Sequence, residues 1–199
     1  IWETNYWSKR VDIDALVDET SFDGSVPPKL QYIDLRFGNK CQLACVMCSP
    51  HDSSGWIKDW IMMYPKVSDP TLKQTMGWDS KGSVNGSSFN WHKNNPKFWE
   101  QFYDQIPHMK QIYFAGGEPL LMDEHWQILD MLTEAEKFDV VLTYNTNLSK
   151  LTYQGKNALD YWKKWGKKVW LWPSIDEIDE RAELIRSGTN WKTVEEHLK

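Results

Sequence analysis

Three cysteines, Cys41, Cys45 and Cys48, fall in one short stretch, and the chain contains no others. An odd, tightly grouped set makes a poor disulfide framework and better suits a metal site in a reducing compartment. A structural zinc site takes four ligands, commonly in two pairs. Here the second pair is missing, and His51 would have to complete it. Cubane iron–sulfur clusters usually take four thiolates, so three would leave one iron open to a small molecule. Three incidental or buried thiols are the plainer alternative.

Further along lies Phe114-Ala115-Gly116-Gly117-Glu118-Pro119. Paired glycines let a ligand approach the backbone, and a carboxylate can accept from an ammonium group. The same run also reads as a tight turn. Thr146 and Asn147 follow a β-rich stretch, as turn residues commonly do. Ser174 and Asp176 follow another, and Arg181 and Arg186 lie in a charged segment that could equally be a solvated helix face.

The elements that would position these residues alternate. Leu30–Phe37 reads as a strand with Tyr32, Asp34 and Arg36 on one face and Ile33, Leu35 and Phe37 on the other. A helix is predicted from Ser53, its cap, to about Tyr64, with Trp56, Trp60 and Met63 as its apolar stripe. Residues 65–95 are polar and broken by Pro and Gly, yet carry Trp78, Phe89 and Trp91. Such a long irregular insertion is usually functional or disordered. Then come a helix at Pro96–Gln105, a strand at Lys110–Phe114, and an amphipathic helix at Glu124–Lys137 with Trp126, Leu129 and Leu132 in register. A strand at Asp139–Tyr144, a helix at Asn157–Trp165 and a strand at Lys168–Trp172 follow. Helical Glu180–Arg186 and Lys192–Leu198 close the chain. This alternation predicts an α/β fold with a parallel sheet or βα barrel, preceded by an irregular or partly helical lead-in over 1–29.

Bulk properties narrow the classes. With 199 residues the chain can build one sizeable core. A net charge of −5 argues against broad nucleic-acid binding. No apolar run approaches the roughly 20 residues that span a bilayer. The start lacks an initiator Met and a signal-peptide pattern, so the expectation is a soluble cytoplasmic chain whose ends have been cut. The 13 tryptophans fit core and rim packing first, and an aromatic interaction surface second.

Taken together, Cys41-Gln-Leu-Ala-Cys45-Val-Met-Cys48 resembles the signature loop of the radical S-adenosylmethionine superfamily, placed as in that family after the first strand. The resemblance covers residues 30–199. It implies a partial (β/α) barrel of that type, about four βα units of a normal six, and hence a truncated fragment. Cys41, Cys45 and Cys48 would ligate a [4Fe–4S] cluster. Met47 stands where the family often has an aromatic residue beside the adenine. Gly116, Gly117, Glu118 and Pro119 resemble the motif that binds the amino group of the cofactor's methionyl moiety. Thr146 and Asn147, Ser174, and Arg186 (or Arg181) resemble residues near its ribose and carboxylate. Leu148 departs from the family's usual Gly. The implied reaction is reductive cleavage of S-adenosylmethionine to a 5′-deoxyadenosyl radical that abstracts hydrogen from a substrate. The wording around Ser174–Trp191 is most similar to the SPASM/Twitch-type subgroup, whose members often modify peptides or proteins. A ferredoxin or flavodoxin is the implied electron donor, and neither a membrane nor a nucleic acid is an expected partner. The competing functions are a radical enzyme acting on a small molecule or nucleotide, a non-catalytic zinc or iron–sulfur module, and a Trp-rich peptide-binding protein.

Overall fold

A computed structural model describes residues 17–75 and 91–199. Its centre is a four-stranded parallel sheet formed by β1 (Tyr32–Leu35), β3 (Gln111–Phe114), β4 (Val141–Thr146) and β7 (Val169–Pro173), in that spatial order. Four two-residue pieces, in two antiparallel pairs, complete the described ladders around it: β2 (Ala44–Cys45) with β8 (Arg186–Ser187), and β5 (Thr152–Tyr153) with β6 (Lys156–Asn157). The helices are α1 (Ile57–Met63), α2 (Pro70–Thr75), α3 (Phe98–Gln105), α4 (Asp123–Glu134), α5 (Ala158–Trp165), α6 (Asp179–Ile185) and α7 (Trp191–His197). The architecture is thus mixed α/β. Each strand of the main sheet adds beside its predecessor, with α4 linking β3 to β4 and α5 linking β4 to β7.

Side-chain alternation explains the layering. Ile33, Ile112, Leu142 and Val169 are register partners, as are Leu35, Phe114, Tyr144 and Leu171. Most of these residues join one core with Trp126, Leu129 and Leu132 of α4 and with Trp162 and Trp165 of α5. The α4 stripe expected from periodicity is therefore the one that is buried. On the opposite face, Asp34, Tyr113, Thr143 and Trp170 are aligned, with Arg36, Asn145 and Trp172 one step further along. Trp170 and Trp172 are exposed, whereas Trp126, Trp162 and Trp165 are buried, so the tryptophans serve both as core and as surface.

Several expected boundaries move inward. The first strand shortens to Tyr32–Leu35, and α4 ends at Glu134 because the backbone leaves helical geometry, with Glu136 at φ 51°. Ser53 does cap a helical segment, accepting from the Gly55 N–H at 3.1 Å, although the first turn is a 3-10 helix before α1. Within the insertion, α2 is helical where an irregular stretch was expected. Trp78 and Phe89 of that insertion, and residues 1–16 of the lead-in, lie outside the described residues. Among the described residues no helix is long and apolar enough to cross a membrane.

Candidate functional site

The cysteine loop is fixed from below before any side chain is considered. Gly117 N donates to Gly38 O at 3.0 Å and Glu118 N to Lys40 O at 2.8 Å, docking the turn after β3 onto the stem of the loop. The approach is close enough to require glycine. A Cβ on Gly117 would fall 2.6 Å from the Asn39 carbonyl carbon, and Gly116 has φ +108°, where L side chains are rare. From the other side, Ser54 N donates to Asn39 O at 2.7 Å and Cys41 N to Ser54 Oγ at 3.1 Å. Ser53 Oγ donates to Leu43 O, and Trp56 Nε1 to Cys45 O at 2.8 Å. The start of α1 thus serves as a brace for the loop.

The third support comes from far along the chain. Cys45 pairs with Arg186 in the β2–β8 ladder, and Val46 N donates to Ile185 O at 2.9 Å. Arg186 Nη1 reaches Cys45 Sγ at 3.6 Å, and its Nε lies 2.7 Å from Asp176 Oδ2. That second contact is an ion pair without the alignment of a hydrogen bond.

These supports leave a cavity of about 510 Å³. Cys41, Cys45 and Cys48 line it, together with Met47, Gly116, Gly117, Thr146, Asn147, Ser174 and Arg186. The three thiols are unbridged. Burial pushes the Cys41 thiol up, and Cys48 is pushed up to about 11, chiefly by burial and then by the neighbouring Cys45. Among the described residues, no three His, Cys, Asp or Glu side chains gather as a ready-made site for a metal ion. The cysteines instead share a wall.

Glu118 and Pro119 are buried and do not line the cavity. Glu118 accepts from Thr146 Oγ1 at 2.7 Å, from Asn147 N at 2.8 Å and from Leu120 N at 3.3 Å. Its carboxyl therefore clamps the end of β4 to the turn after β3. Burial raises its pKa to about 7 despite those three donors. Leu148, standing where the resemblance would put Gly, adopts φ 53° with its side chain in the core. His197 Nδ1 donates to its carbonyl at 2.6 Å, so packing and a hydrogen bond hold a conformation costly for a branched residue. Arg181 points elsewhere, pairing with Glu177 at 3.5 Å on an exposed surface.

Sequence reading passed over some of the lining. Trp91 reaches the cavity from the end of the insertion, its Nε1 donating to Arg36 O at 3.0 Å and its ring stacked on Phe37. Asn145 lines it from the open face of β4. An alternation count puts Asn145 on the face of Asp34 and Arg36, and Trp91 is one of the aromatic residues that interrupt the polar insertion. No family model matches the chain, and no curated protein matches it.

Proposed function

We propose that this chain is the cofactor-cleaving core of a radical S-adenosylmethionine enzyme, with its parallel sheet forming an arc of a partial (β/α) barrel of that superfamily's type. One observation carries the reading. The cysteine loop and the ends of β3, β4 and β7 converge on one cavity, where residues from all four line a common wall. Ligand sites in βα folds form at the carboxyl ends of strands, which is where these residues lie.

The side chains present suit a [4Fe–4S] cluster. Three unbridged thiols line the cavity, and N–H groups from Arg186 and Asn147 approach two of the sulfurs. Cys41, Cys45 and Cys48 would hold the cluster. When bound, it supplies the electron that splits S-adenosylmethionine into methionine and a 5′-deoxyadenosyl radical, which takes a hydrogen atom from the substrate. The chain's own residues bind and orient. Gly116 and Gly117 offer backbone to the amino end of the methionyl group, and Thr146, Asn147 and Ser174 offer polar atoms nearby. Glu118 positions Thr146 and Asn147 from behind instead of contacting the ligand. Met47, half exposed at the cavity mouth, would cover the adenine.

The open face of the sheet, carrying Asp34, Arg36, Tyr113, Trp170 and Trp172, is the surface we assign to a substrate, with a peptide or protein preferred. An external ferredoxin or flavodoxin would deliver the electron, in the cytoplasm. The rival is a zinc site completed by His51, which lines the same cavity. Anaerobic reconstitution with iron and sulfide, metal analysis and an assay for 5′-deoxyadenosine separate the two. The expected result is an iron-loaded chain that forms 5′-deoxyadenosine under reduction and a triple Cys→Ala variant that does neither. Tight zinc with no cofactor cleavage would overturn the reading.

A further inference from the structure

Arg186 is committed to the cysteine loop more firmly than to the open part of the cavity. Its side chain is only 16% exposed, and its backbone is the ladder partner of Cys45. Nη1 donates toward Cys45 Sγ at 3.6 Å, while Asp176 sits 2.7 Å from Nε on the other edge of the guanidinium. A second donor is built in a similar way. Asn147 Nδ2 lies 3.8 Å from Cys41 Sγ, and its Oδ1 is held by Gln42 Nε2 at 3.1 Å and Ser149 N at 2.9 Å. With the oxygen so occupied, the amide presents its N–H to sulfur.

Donors and positive charge beside a thiolate favour the more electron-rich state of whatever the thiolate ligates. We propose that Arg186, restrained by Asp176, sets the reduction potential of the cluster through Cys45, and is not a ligand of the methionyl carboxylate. The inference rests on the cluster reading above. The electron itself comes from the external donor. The Arg186–Asp176 pair only shifts how readily it is accepted, since Asp176 offsets part of the guanidinium charge felt at the sulfur.

The test compares wild type with Arg186→Gln, Arg186→Lys and Asp176→Asn. All four are reconstituted anaerobically, their iron and labile sulfide are counted, and midpoint potentials are measured by spectroelectrochemistry without S-adenosylmethionine. Affinity for S-adenosylmethionine is measured separately by equilibrium dialysis. Arg186→Gln is expected to lower the one-electron reduction equilibrium roughly tenfold, a negative shift of about 59 mV, the scale of one charged hydrogen bond. Asp176→Asn should shift the potential positively, because the guanidinium loses its counter-charge, and Arg186→Lys should fall between wild type and Gln. Unchanged potentials in loaded variants, or lost cofactor affinity at constant potential, would return Arg186 to the carboxylate. If Arg186→Gln holds no cluster, Asp176→Asn decides by the sign of its shift. Loss of cluster in both makes the pair an assembly requirement and overturns the tuning role. A wild-type chain without a cluster fails at the earlier step and removes the function reading itself.

Discussion

Glu118 brings three donors onto a carboxyl group that is 1% exposed. Burial outweighs those donors and raises its pKa from 4.5 to about 7. The sign of the consequence follows from linkage. A carboxyl whose folded value lies above its unfolded one favours the native state when protonated. That contribution is complete below about pH 4.5 and is lost as pH rises through 7. A shift of this size corresponds to about 3 kcal/mol. Glu118→Gln cannot ionise, so the stability of wild type relative to this variant should decline by about that amount between pH 4.5 and 7.5. Urea titrations of both proteins across the range measure it, and parallel curves would show that the carboxyl is not desolvated as described. The variant's own cost, one donor left facing an amide, is independent of pH and does not confuse the slope.

At the scale of elements, the site is a loop gripped by three neighbours, and the grip is tightest at Gly117. Gly117→Ala would place a methyl group against the Asn39 and Lys40 backbone, which cannot swing aside as a flexible side chain can. Overpacking of this kind costs about 1–3 kcal/mol. The expected outcome is a lowered urea midpoint and, under the proposed function, weakened iron retention after reconstitution, because the loop must part from the end of β3. An unchanged midpoint would mean that the two turns are not in contact. Elements of this sort also mark where the sequence could be read and where it could not. The helix α4 announces itself by its 3.6-residue burial period, and strands β3, β4 and β7 as short β-rich runs that alternate with helices. The open-face pattern of Tyr32, Asp34 and Arg36 was legible by its alternation. The β2–β8 ribbon was not. Two residues carry no period, and the partner of Cys45 lies 141 positions away. The β5–β6 hairpin, turning at Gln154-Gly155 with both residues at positive φ, was missed because its strands are equally short. The cysteines, glycines and Thr146-Asn147 were legible as chemistry, but the withdrawal of Glu118 behind the wall depended on contacts between two strand ends.

Over the whole molecule, the helix-backed core contains one group whose ionisation would be felt throughout. His125 of α4 is fully buried, with Nε2 at 3.0 Å from the Tyr144 hydroxyl on β4 and rings of Phe114 and Trp126 at 4.9 Å. Burial, with Lys156 adding to it, lowers its pKa from 6.5 to about 3, so it is neutral while it shares a hydrogen bond with the hydroxyl. A base whose folded value is depressed contributes stability above its unfolded pKa and loses it as pH falls through the folded value. Here the window runs from about 6.5 down to 3, and the full shift is worth roughly 5 kcal/mol. Glu118 works in the opposite sense over an overlapping window, so the two partly cancel between about pH 4.5 and 6.5 and the wild-type profile is flatter than either group alone would make it. Below pH 4.5 Glu118 is protonated in both states, and His125 is left driving acid unfolding. His125→Gln keeps a hydrogen-bond partner for Tyr144 and cannot take up a proton. At neutral pH it should be less stable than wild type by about 1–3 kcal/mol, for imperfect packing. On acidification the difference should shrink and then reverse, so that the variant resists acid to a lower pH. Acid titrations followed by tryptophan fluorescence would show the crossing. Curves that keep their order down to pH 3 would place His125 in contact with water, and the core behind β4 would then be open where the structure has it closed.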